Sequence, residues 1–156
     1  MRAPIVPDNG KPLSLPPANH FIATNFDILP EDVTQSTRPL LIKRWDDIAD
    51  LWHKKDDRFK KPKAIVSCKI YTNDLMFGES PLATVFAEVW RRSLQEFLRE
   101  FKYMADQAKL EFSFTLSMDN INLKWSGYND KLVIFVTETL EKFNSFRDIE
   151  CRKIFN

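Results

Sequence analysis

Glycine, cysteine and histidine are all scarce in this sequence, and their scarcity excludes several kinds of protein. The 156 residues include three glycines, at positions 10, 78 and 127. A phosphate-cradling loop needs glycines clustered at short spacing, so that backbone N–H groups can approach the anion, and such loops are therefore excluded. Two cysteines, Cys68 and Cys151, and two histidines are too few and too scattered for a zinc finger, an iron–sulfur site or a disulfide framework.

An excess of charge of one sign is also lacking, since 23 Lys and Arg residues oppose 22 Asp and Glu residues. A net charge of +1 creates no overall field that would steer the chain to nucleic acid or acidic lipid. No apolar run approaches the ~20 residues needed to cross a bilayer, and no signal-peptide core follows the first residues. We therefore expect a cytoplasmic chain with no nucleic-acid partner and no membrane partner, whose thiols fit a reducing compartment.

Apolar residues are plentiful and prolines are unevenly placed. Hydrophobic residues make up 44% of the chain, enough for one domain to bury a core, and eight of the nine prolines lie in residues 1–62. Because proline removes a backbone donor and biases the preceding residue toward extended geometry, residues 1–44 are predicted to form an irregular arm. The arm is rich in apolar side chains, so we expect at least residues 21–29 to lie against a folded body formed by residues 45–156.

Alternation of apolar and polar residues predicts the strands. Residues 63–73 alternate, which predicts a strand with Cys68 as a small buried core residue, and a shorter strand is predicted around residues 49–55. Residues 110–116 and 121–126 alternate in the same way, and the pair Asp119-Asn120 suits a tight hairpin turn between them.

Spacings of three and four predict two helices. Ser80 can cap one long amphipathic helix that starts at Pro81 and continues to about residue 105. A second helix is predicted to begin near Asn129 or Asp130 and to present these residues to the sheet: Leu132, Val136, Leu140 and Phe143. The resulting order of strand, strand, helix, strand, strand, helix predicts an α+β two-layer sandwich, an antiparallel sheet covered by helices on one face.

Candidate chemistry is sparse. His20 and His53 each lack a second histidine three or four positions away, so the sequence contains no zinc site and both are predicted to be solvated. One local basic cluster could bind a polyanion or a peptide; with Trp52 and Phe59 interleaved, it comprises Lys54, Lys55, Arg58, Lys60, Lys61 and Lys63. A solvated turn between two strands is the more common meaning of such a run, because Asp56 and Asp57 lie in its middle.

Four stretches in order carry a family resemblance. They are LPPANHFIATNFDIL at 15–29, LWHKKDDRF at 51–59 with PKA at 62–64, the long helix from Pro81 with SLQEF at 93–97, and SGYNDK at 126–131. Together they resemble the insulin-degrading enzyme and pitrilysin family of zinc metallopeptidases, the M16 peptidases, with one departure at Ala23, where that family usually has proline. The motif residues for which the resemblance implies a structural role are Asn19, Phe21, Asn25, Phe26, Trp52, Asp56, Asp57, Phe59, Pro62, Gly127, Tyr128, Asn129 and Asp130.

The resemblance implies a place for this chain in a larger enzyme. In that family four homologous α+β domains form two bowl-like halves that enclose a peptide, and the active zinc lies in the first domain. The matching stretches belong to the passage from the second domain into the non-catalytic third, so residues 1–44 are expected to be an inter-domain arm and residues 45–156 part of the middle or third domain. The zinc motif His-x-x-Glu-His cannot be placed on this chain. We therefore expect the chain alone to hold no cofactor and to cleave no peptide, with zinc only in the catalytic domain of a full-length relative.

Two functions follow as hypotheses. The first is a non-catalytic middle-domain portion of an insulin-degrading-enzyme-like zinc metalloendopeptidase, forming substrate-chamber wall and inter-domain contacts. The alternative is a free-standing interaction module that binds peptides or a full-length relative without hydrolysis, and a polyanion binder is a third reading. Because the family's third domain would continue beyond Asn156, we expect an incomplete domain that binds the other domains or self-associates through open apolar surface. The residues expected in that surface are Trp90, Phe97, Phe101, Phe143 and Phe146.

Overall fold

Three helices and five strands lie within the part of the chain that the structure, a computed structural model, describes: residues 17–28, 30, 37–56, 59–71, 80–117 and 119–146. The strands are β1 (Leu40–Trp45), β2 (Ala49–His53), β3 (Lys63–Tyr71), β4 (Glu111–Leu116) and β5 (Asn120–Tyr128). The helices are α1 (Pro81–Phe97), α2 (Arg99–Gln107) and α3 (Asn129–Phe146).

The main sheet has the strand order β3-β5-β4, and both pairings are antiparallel. Ala64 of β3 lies opposite Gly127 of β5, and Glu111 of β4 lies opposite Ser126. Ser117 donates its N–H to the carbonyl of Asn120 (2.8 Å), which closes the hairpin between β4 and β5. The predicted α+β class, with an antiparallel sheet and helices packed on it, is confirmed.

A core rich in aromatic residues lies between this sheet and the three helices. Trp125 of β5 contacts Phe112 of β4, and Trp90 of α1 contacts Phe114. Aromatic rings bury a large apolar area each, so they contribute most of the burial in a domain of this size. The cluster of buried side chains is Phe21, Leu94, Leu98, Phe101, Ala105, Ala108, Leu110, Phe114, Leu123, Trp125, Leu132, Phe135 and Phe146.

The predicted long helix is divided into α1 and α2 at Leu98. Ser80 caps α1 as predicted, because its hydroxyl oxygen accepts the N–H of Ala83 (3.2 Å), and Pro81 occupies the first turn. Leu98 itself is buried, as are Phe101 and Ala105 beyond it. The apolar stripe therefore continues across the break, which explains why periodicity alone predicts one helix.

Helix α3 begins at Asn129 as predicted. Its buried face, however, is rotated by about one residue from the face that was predicted to pack on the sheet. Leu132, Phe135 and Thr139 are buried, whereas Leu140, predicted to face the sheet, is exposed. The Thr139 hydroxyl donates to the carbonyl of Phe135 (2.6 Å), so burying this polar side chain leaves no unpaired donor. That local hydrogen bond allows a threonine to occupy the position that hydropathy assigns to leucine.

Two predictions about strands are wrong. Cys68 is exposed rather than buried, because β3 lies at the edge of the sheet, where Val66 and Ile70 are exposed as well. Strand β1 lies in the segment predicted to be irregular, and it pairs with β2 in a separate antiparallel hairpin. Residues 40–45 contain no proline, so proline density gives no reason to expect irregular structure there.

The expected set of open aromatic residues is also partly wrong. Phe101 and Phe146 are buried, and Trp90, Phe97 and Phe143 are half-buried against the core. The exposed apolar residues of α1 lie instead near its start and are Leu82, Val85, Phe86 and Val89. Within the described residues, no helix combines the length and the hydropathy that crossing a membrane requires.

Candidate functional site

The arm is fastened to the body by Phe21, which is 0% exposed. Its ring packs edge to face on Phe101 of α2 (centroids 5.4 Å apart) and on Phe135 of α3 (5.5 Å). Asn19 ties the arm to α2, because its amide nitrogen donates to the carbonyl of Met104 (2.7 Å) while its oxygen accepts the N–H of Phe21 (3.0 Å). One arm residue thereby becomes part of the core of two helices.

A second fastening is the carboxylate of Asp130, at the start of α3. One of its oxygens accepts the backbone N–H groups of Thr24 (2.9 Å) and Asn25 (3.2 Å), and also lies 3.4 Å from the Thr24 hydroxyl. These hydrogen bonds, first that of Thr24 and then that of Asn25, hold the pKa of Asp130 below its ordinary value. The prediction that the arm packs on the body is confirmed for residues 21–26, and Leu29 lies outside the described residues.

Three of the motif stretches meet at the junction of β5 and α3. Phe26 of the arm packs edge to face on Tyr128 (centroids 5.0 Å apart), and Pro62 accepts the backbone N–H of Asn129 through its carbonyl (3.1 Å). The ammonium of Lys63 lies over the Tyr128 ring, 5.1 Å from its centroid. Residues far apart in the sequence therefore converge on the GYND stretch.

Gly127 leaves the backbone room at this junction. Its φ is +150°, and a Cβ there would lie 2.4 Å from Leu110 Cδ2 and 2.9 Å from the carbonyl oxygen of Lys109. No other residue type fits without moving the loop between α2 and β4.

A cleft of about 920 Å³ lies beside the same junction, between the end of β2 and the start of β3. Asp56 is the only acidic residue among the described residues that line it, and its carboxylate accepts the N–H of Phe59 (3.2 Å). Apolar side chains, including Ile28 and Ile65, complete the lining. The basic residues that line the cleft are Lys54, Lys55, Lys60, Lys61, Lys63 and His53.

The structure brings most of the predicted basic cluster together at this lysine-lined cleft. Lys55 donates to the carbonyl of Pro30, which ties the cleft to the arm. Trp52 is exposed on β2 and does not line the cleft. The two predicted residues Asp57 and Arg58 lie outside the described residues.

Sequence reasoning missed several residues at these two places. Phe135 lies outside the face of α3 that was predicted to pack on the sheet, although its spacing to Leu132 and Thr139 is helical. Ile65 lies on the polar side of β3, and no sequence pattern points to a cleft there. His20 is exposed, as predicted, and its Nε2 also lies 3.0 Å from a carboxylate oxygen of Glu138 on α3, a contact that no sequence pattern indicated.

Metal ligands are not grouped in the described part of the chain. No three of its His, Cys, Asp and Glu side chains lie close enough together to hold an ion. His20 lies on the arm and His53 on β2, and only His53 lines the cleft.

Comparison with known proteins gives a consistent result over most of the chain. Residues 4–154 match the family model described as the middle or third domain of peptidase M16. Insulin-degrading enzyme of Homo sapiens is 34% identical over 144 residues, which cover 92% of this chain and 14% of that protein. The A-factor-processing enzyme of Saccharomyces cerevisiae is 32% identical over 139 residues, covering 86% of this chain and 13% of that protein.

A solved structure shares the fold. The crystal structure of pitrilysin superposes with a TM-score of 0.71 at 22% identity, over 85% of this chain and 14% of the pitrilysin chain. This likeness shows the architecture alone. The chain spans about one seventh of the length of each of these relatives.

Proposed function

Since this chain belongs to the M16 peptidase family, as the middle or third domain of such a protein, we propose that it forms wall of a substrate chamber and contacts the other domains of the same peptidase. In this proposal it supplies no catalytic residue, and the zinc belongs to another domain. A peptide substrate meets this chain only at the chamber surface.

The hairpin of β1 and β2 is the observation that carries the inter-domain part of the proposal. Every residue of both strands is exposed, and Ile48 at the tip is 88% exposed. An isolated two-stranded hairpin is only marginally stable in water. The large number of exposed apolar side chains on this hairpin therefore favours packing against another domain. Its large apolar side chains are Leu40, Leu41, Ile42, Trp45, Ile48, Leu51 and Trp52.

Both faces of this hairpin carry apolar side chains. In the register, Leu41 lies opposite Trp52, while Trp45 lies opposite Ala49 and Lys43 opposite Leu51, with one extra residue, Ile42, between the two sets. Arg44 and Asp50 hold the strands together through two hydrogen bonds of 2.7 and 2.8 Å. Such a hairpin suits insertion between two neighbouring domains better than docking on one flat surface.

The test is a chimaera of the human insulin-degrading enzyme in which the aligned 144 residues are replaced by this chain. We expect the chimaera to cleave a fluorogenic peptide, and we expect Leu41→Asp with Trp52→Asp to abolish cleavage by separating the hairpin from its neighbours. The matched control is Lys43→Asp with Arg38→Asp, which adds acidic residues to the same segment without removing apolar surface. Equal activity and equal elution volume of the hairpin variant and the control would contradict the proposal.

A free-standing interaction module remains the second candidate. The arm supports it, because the arm docks on this chain's own helices through Phe21 and Asp130 and closes the unit without a partner. If this reading is right, the chain purified from its own cells elutes at the size of one chain or of a complex with a separate relative, rather than as part of a longer polypeptide.

We also propose a cytoplasmic location, which the small number of cysteines favours.

A further inference from the structure

The lysine-lined cleft differs in charge from the rest of the molecule. Residues 53–63 contain six Lys and Arg residues and two Asp residues, whereas the whole chain has a net charge of +1. Lys54, Lys55, Lys60, Lys61 and Lys63 all line one cleft of about 920 Å³. Concentrated positive charge around a concave surface raises the local concentration of anionic ligands.

The lining is also partly apolar, which argues for a ligand that is not purely ionic. Phe59 is 70% exposed and Ile65 is 66% exposed, and both line the cleft together with Ile28 and Ala64. A polyphosphate has no apolar group to cover these side chains. A peptide that carries both acidic and apolar residues can cover them while its carboxylates meet the ammonium groups.

The type of basic residue favours a ligand whose anionic groups are not fixed in one geometry. The cationic side chains among the described lining residues are lysines and one histidine, with no arginine. Lysine is a mobile point charge, whereas arginine is the usual choice where a planar, bidentate geometry must be recognised. A set of lysines therefore suits anionic groups whose positions vary, as the carboxylates of different peptides do.

Asn129 adds a requirement that a peptide can meet. Its side-chain oxygen is buried and accepts no hydrogen bond from the described residues, and the residue lines the cleft. An unpaired buried acceptor costs free energy, so a small rearrangement of the Asn129 side chain that brings this oxygen to an N–H group of a ligand would regain that free energy. Peptides have such donors along their backbone, and inorganic polyphosphate has none.

We propose that this cleft binds an acidic segment of a peptide, with carboxylates at the lysines and an apolar side chain against Phe59 and Ile65. The inference rests on the proposed function, since it names the kind of substrate segment that this part of the chamber wall contacts.

The experiment measures binding of a labelled peptide with alternating glutamate and leucine residues to the 156-residue chain by fluorescence anisotropy. The matched peptide has glutamine in place of glutamate. We expect the acidic peptide to bind at least about ten-fold more tightly at low salt, and this difference to shrink at ~0.5 M salt. Equal binding of the two peptides, or binding of neither, would overturn the proposal.

Variants identify the cleft as the site. Lys54→Glu with Lys61→Glu should weaken binding of the acidic peptide by about ten-fold, since the double variant replaces two attractive charges with two repulsive ones. Lys102→Glu, on α2 and away from the cleft, should leave it unchanged, and circular dichroism should show the same fold for all variants. If Lys102→Glu weakened peptide binding equally, the effect would come from the net charge of the chain, and the assignment of the binding site to the cleft would be overturned.

Phe59→Ala separates a peptide site from a polyanion site. This variant should weaken binding of the acidic peptide. It should leave unchanged the concentration of inorganic polyphosphate that competes for the cleft. At a pure polyanion site, Phe59→Ala would change the binding of neither ligand.

The chimaera tests the proposed function independently. An active chimaera with no acidic-peptide binding refutes only this inference, and peptide binding with an inactive chimaera refutes only the chamber role.

Discussion

At the scale of single residues, the arm depends on one ring and one carboxylate that act in different ways. Phe21 contributes burial against Phe101 and Phe135, and its contribution is independent of pH. Asp130 contributes hydrogen bonds to backbone N–H groups, and its contribution depends on its charge. The two can therefore be separated by experiment.

Replacing Phe21 with alanine should detach the arm and lower the free energy of unfolding by about 3–5 kcal/mol, as for other large-to-small changes in cores. The measurement is denaturant unfolding followed by circular dichroism. Ile22→Ala is the matched control, because Ile22 is the next residue and is exposed, so its replacement should change the free energy by less than about 0.5 kcal/mol. Equal effects of the two changes would show that the arm does not insert Phe21 into the core.

Asp130 makes docking of the arm dependent on pH. Its pKa is lowered in the folded chain, so its stabilising contribution is complete above the ordinary aspartate pKa of about 3.9 and is lost as the pH falls through the lower folded value. We expect the backbone amides of Thr24 and Asn25 to lose protection from hydrogen exchange over that range. In Asp130→Asn their protection should be lower at neutral pH and should no longer change with pH.

Glu88→Gln is the control for this titration. Hydrogen bonds from Arg91 and Arg92 lower the pKa of Glu88 to about 2, so it too is an acidic group with a shifted titration. It lies on α1 and makes these bonds within its own helix. Its replacement should leave the two arm amides unchanged, and a change in them would mean that they report the whole fold rather than Asp130.

At the scale of elements, alternation and helical spacing predicted the main sheet and the starts of α1 and α3 well. The two strands of the β4–β5 hairpin, the cap at Ser80 and the start of α3 at Asn129 lie within one or two residues of their predicted places. These features depend on interactions between residues that are close in sequence, so the local sequence is enough to predict them. What failed depends on neighbours distant in sequence: the exposure of Cys68 follows from the edge position of β3, and the burial of Thr139 follows from the fit of α3 on the sheet.

The candidate site shows the same division. A run of basic residues is visible in the sequence, but the cleft exists because the start of α3 and the arm come close to that run, as Asn129 and Ile28 show. Similarly, capping chemistry marked Asn129 and Asp130 as a helix start, but only a family resemblance singled out the GYND stretch as a whole. Its physical reason, the convergence of the arm and β3 on Tyr128 and Asp130, requires the tertiary structure.

Gly127→Ala should destabilise the junction of β5 and α3. The new methyl group would lie against Leu110 and the carbonyl of Lys109, and the backbone has a positive φ, so we expect a loss of about 1–3 kcal/mol in the free energy of unfolding. Ser126→Ala, one residue earlier in the same strand, is the control and should cost far less. Thermal unfolding of the two variants provides the comparison, and equal midpoints would mean that the loop at Lys109 yields to the methyl group at no cost.

At the scale of the whole molecule, exposed apolar surface is the dominant property. The start of α1 exposes Phe86 (64%) and its neighbours, the hairpin exposes both faces, and contiguous patches larger than a few hundred Å² mark interfaces on most proteins. The chain also spans about one seventh of its relatives. The surface is what a domain taken from a larger assembly would present.

We therefore expect the isolated chain to self-associate at micromolar concentration. Phe86→Lys with Val89→Lys should reduce association, because both side chains lie in the exposed face of α1. Val133→Lys, which changes an exposed residue of α3, should have a smaller effect. Sedimentation velocity decides the matter, and a compact monomer that binds no hydrophobic dye would contradict the expectation.

The docked arm also has a consequence for the order of events during synthesis. His20 and Glu138 are 118 residues apart, so at ~5–20 residues per second the ribosome makes the arm roughly ten seconds before its docking surface. The two helices that flank Phe21 must form before that ring can enter between them. Contacts of the arm are then absent from the transition state for folding, and their removal should raise the unfolding rate while leaving the folding rate almost unchanged. The arm is in this way made before the surface on which it docks, and we expect it to dock last and to be released first when the chain unfolds.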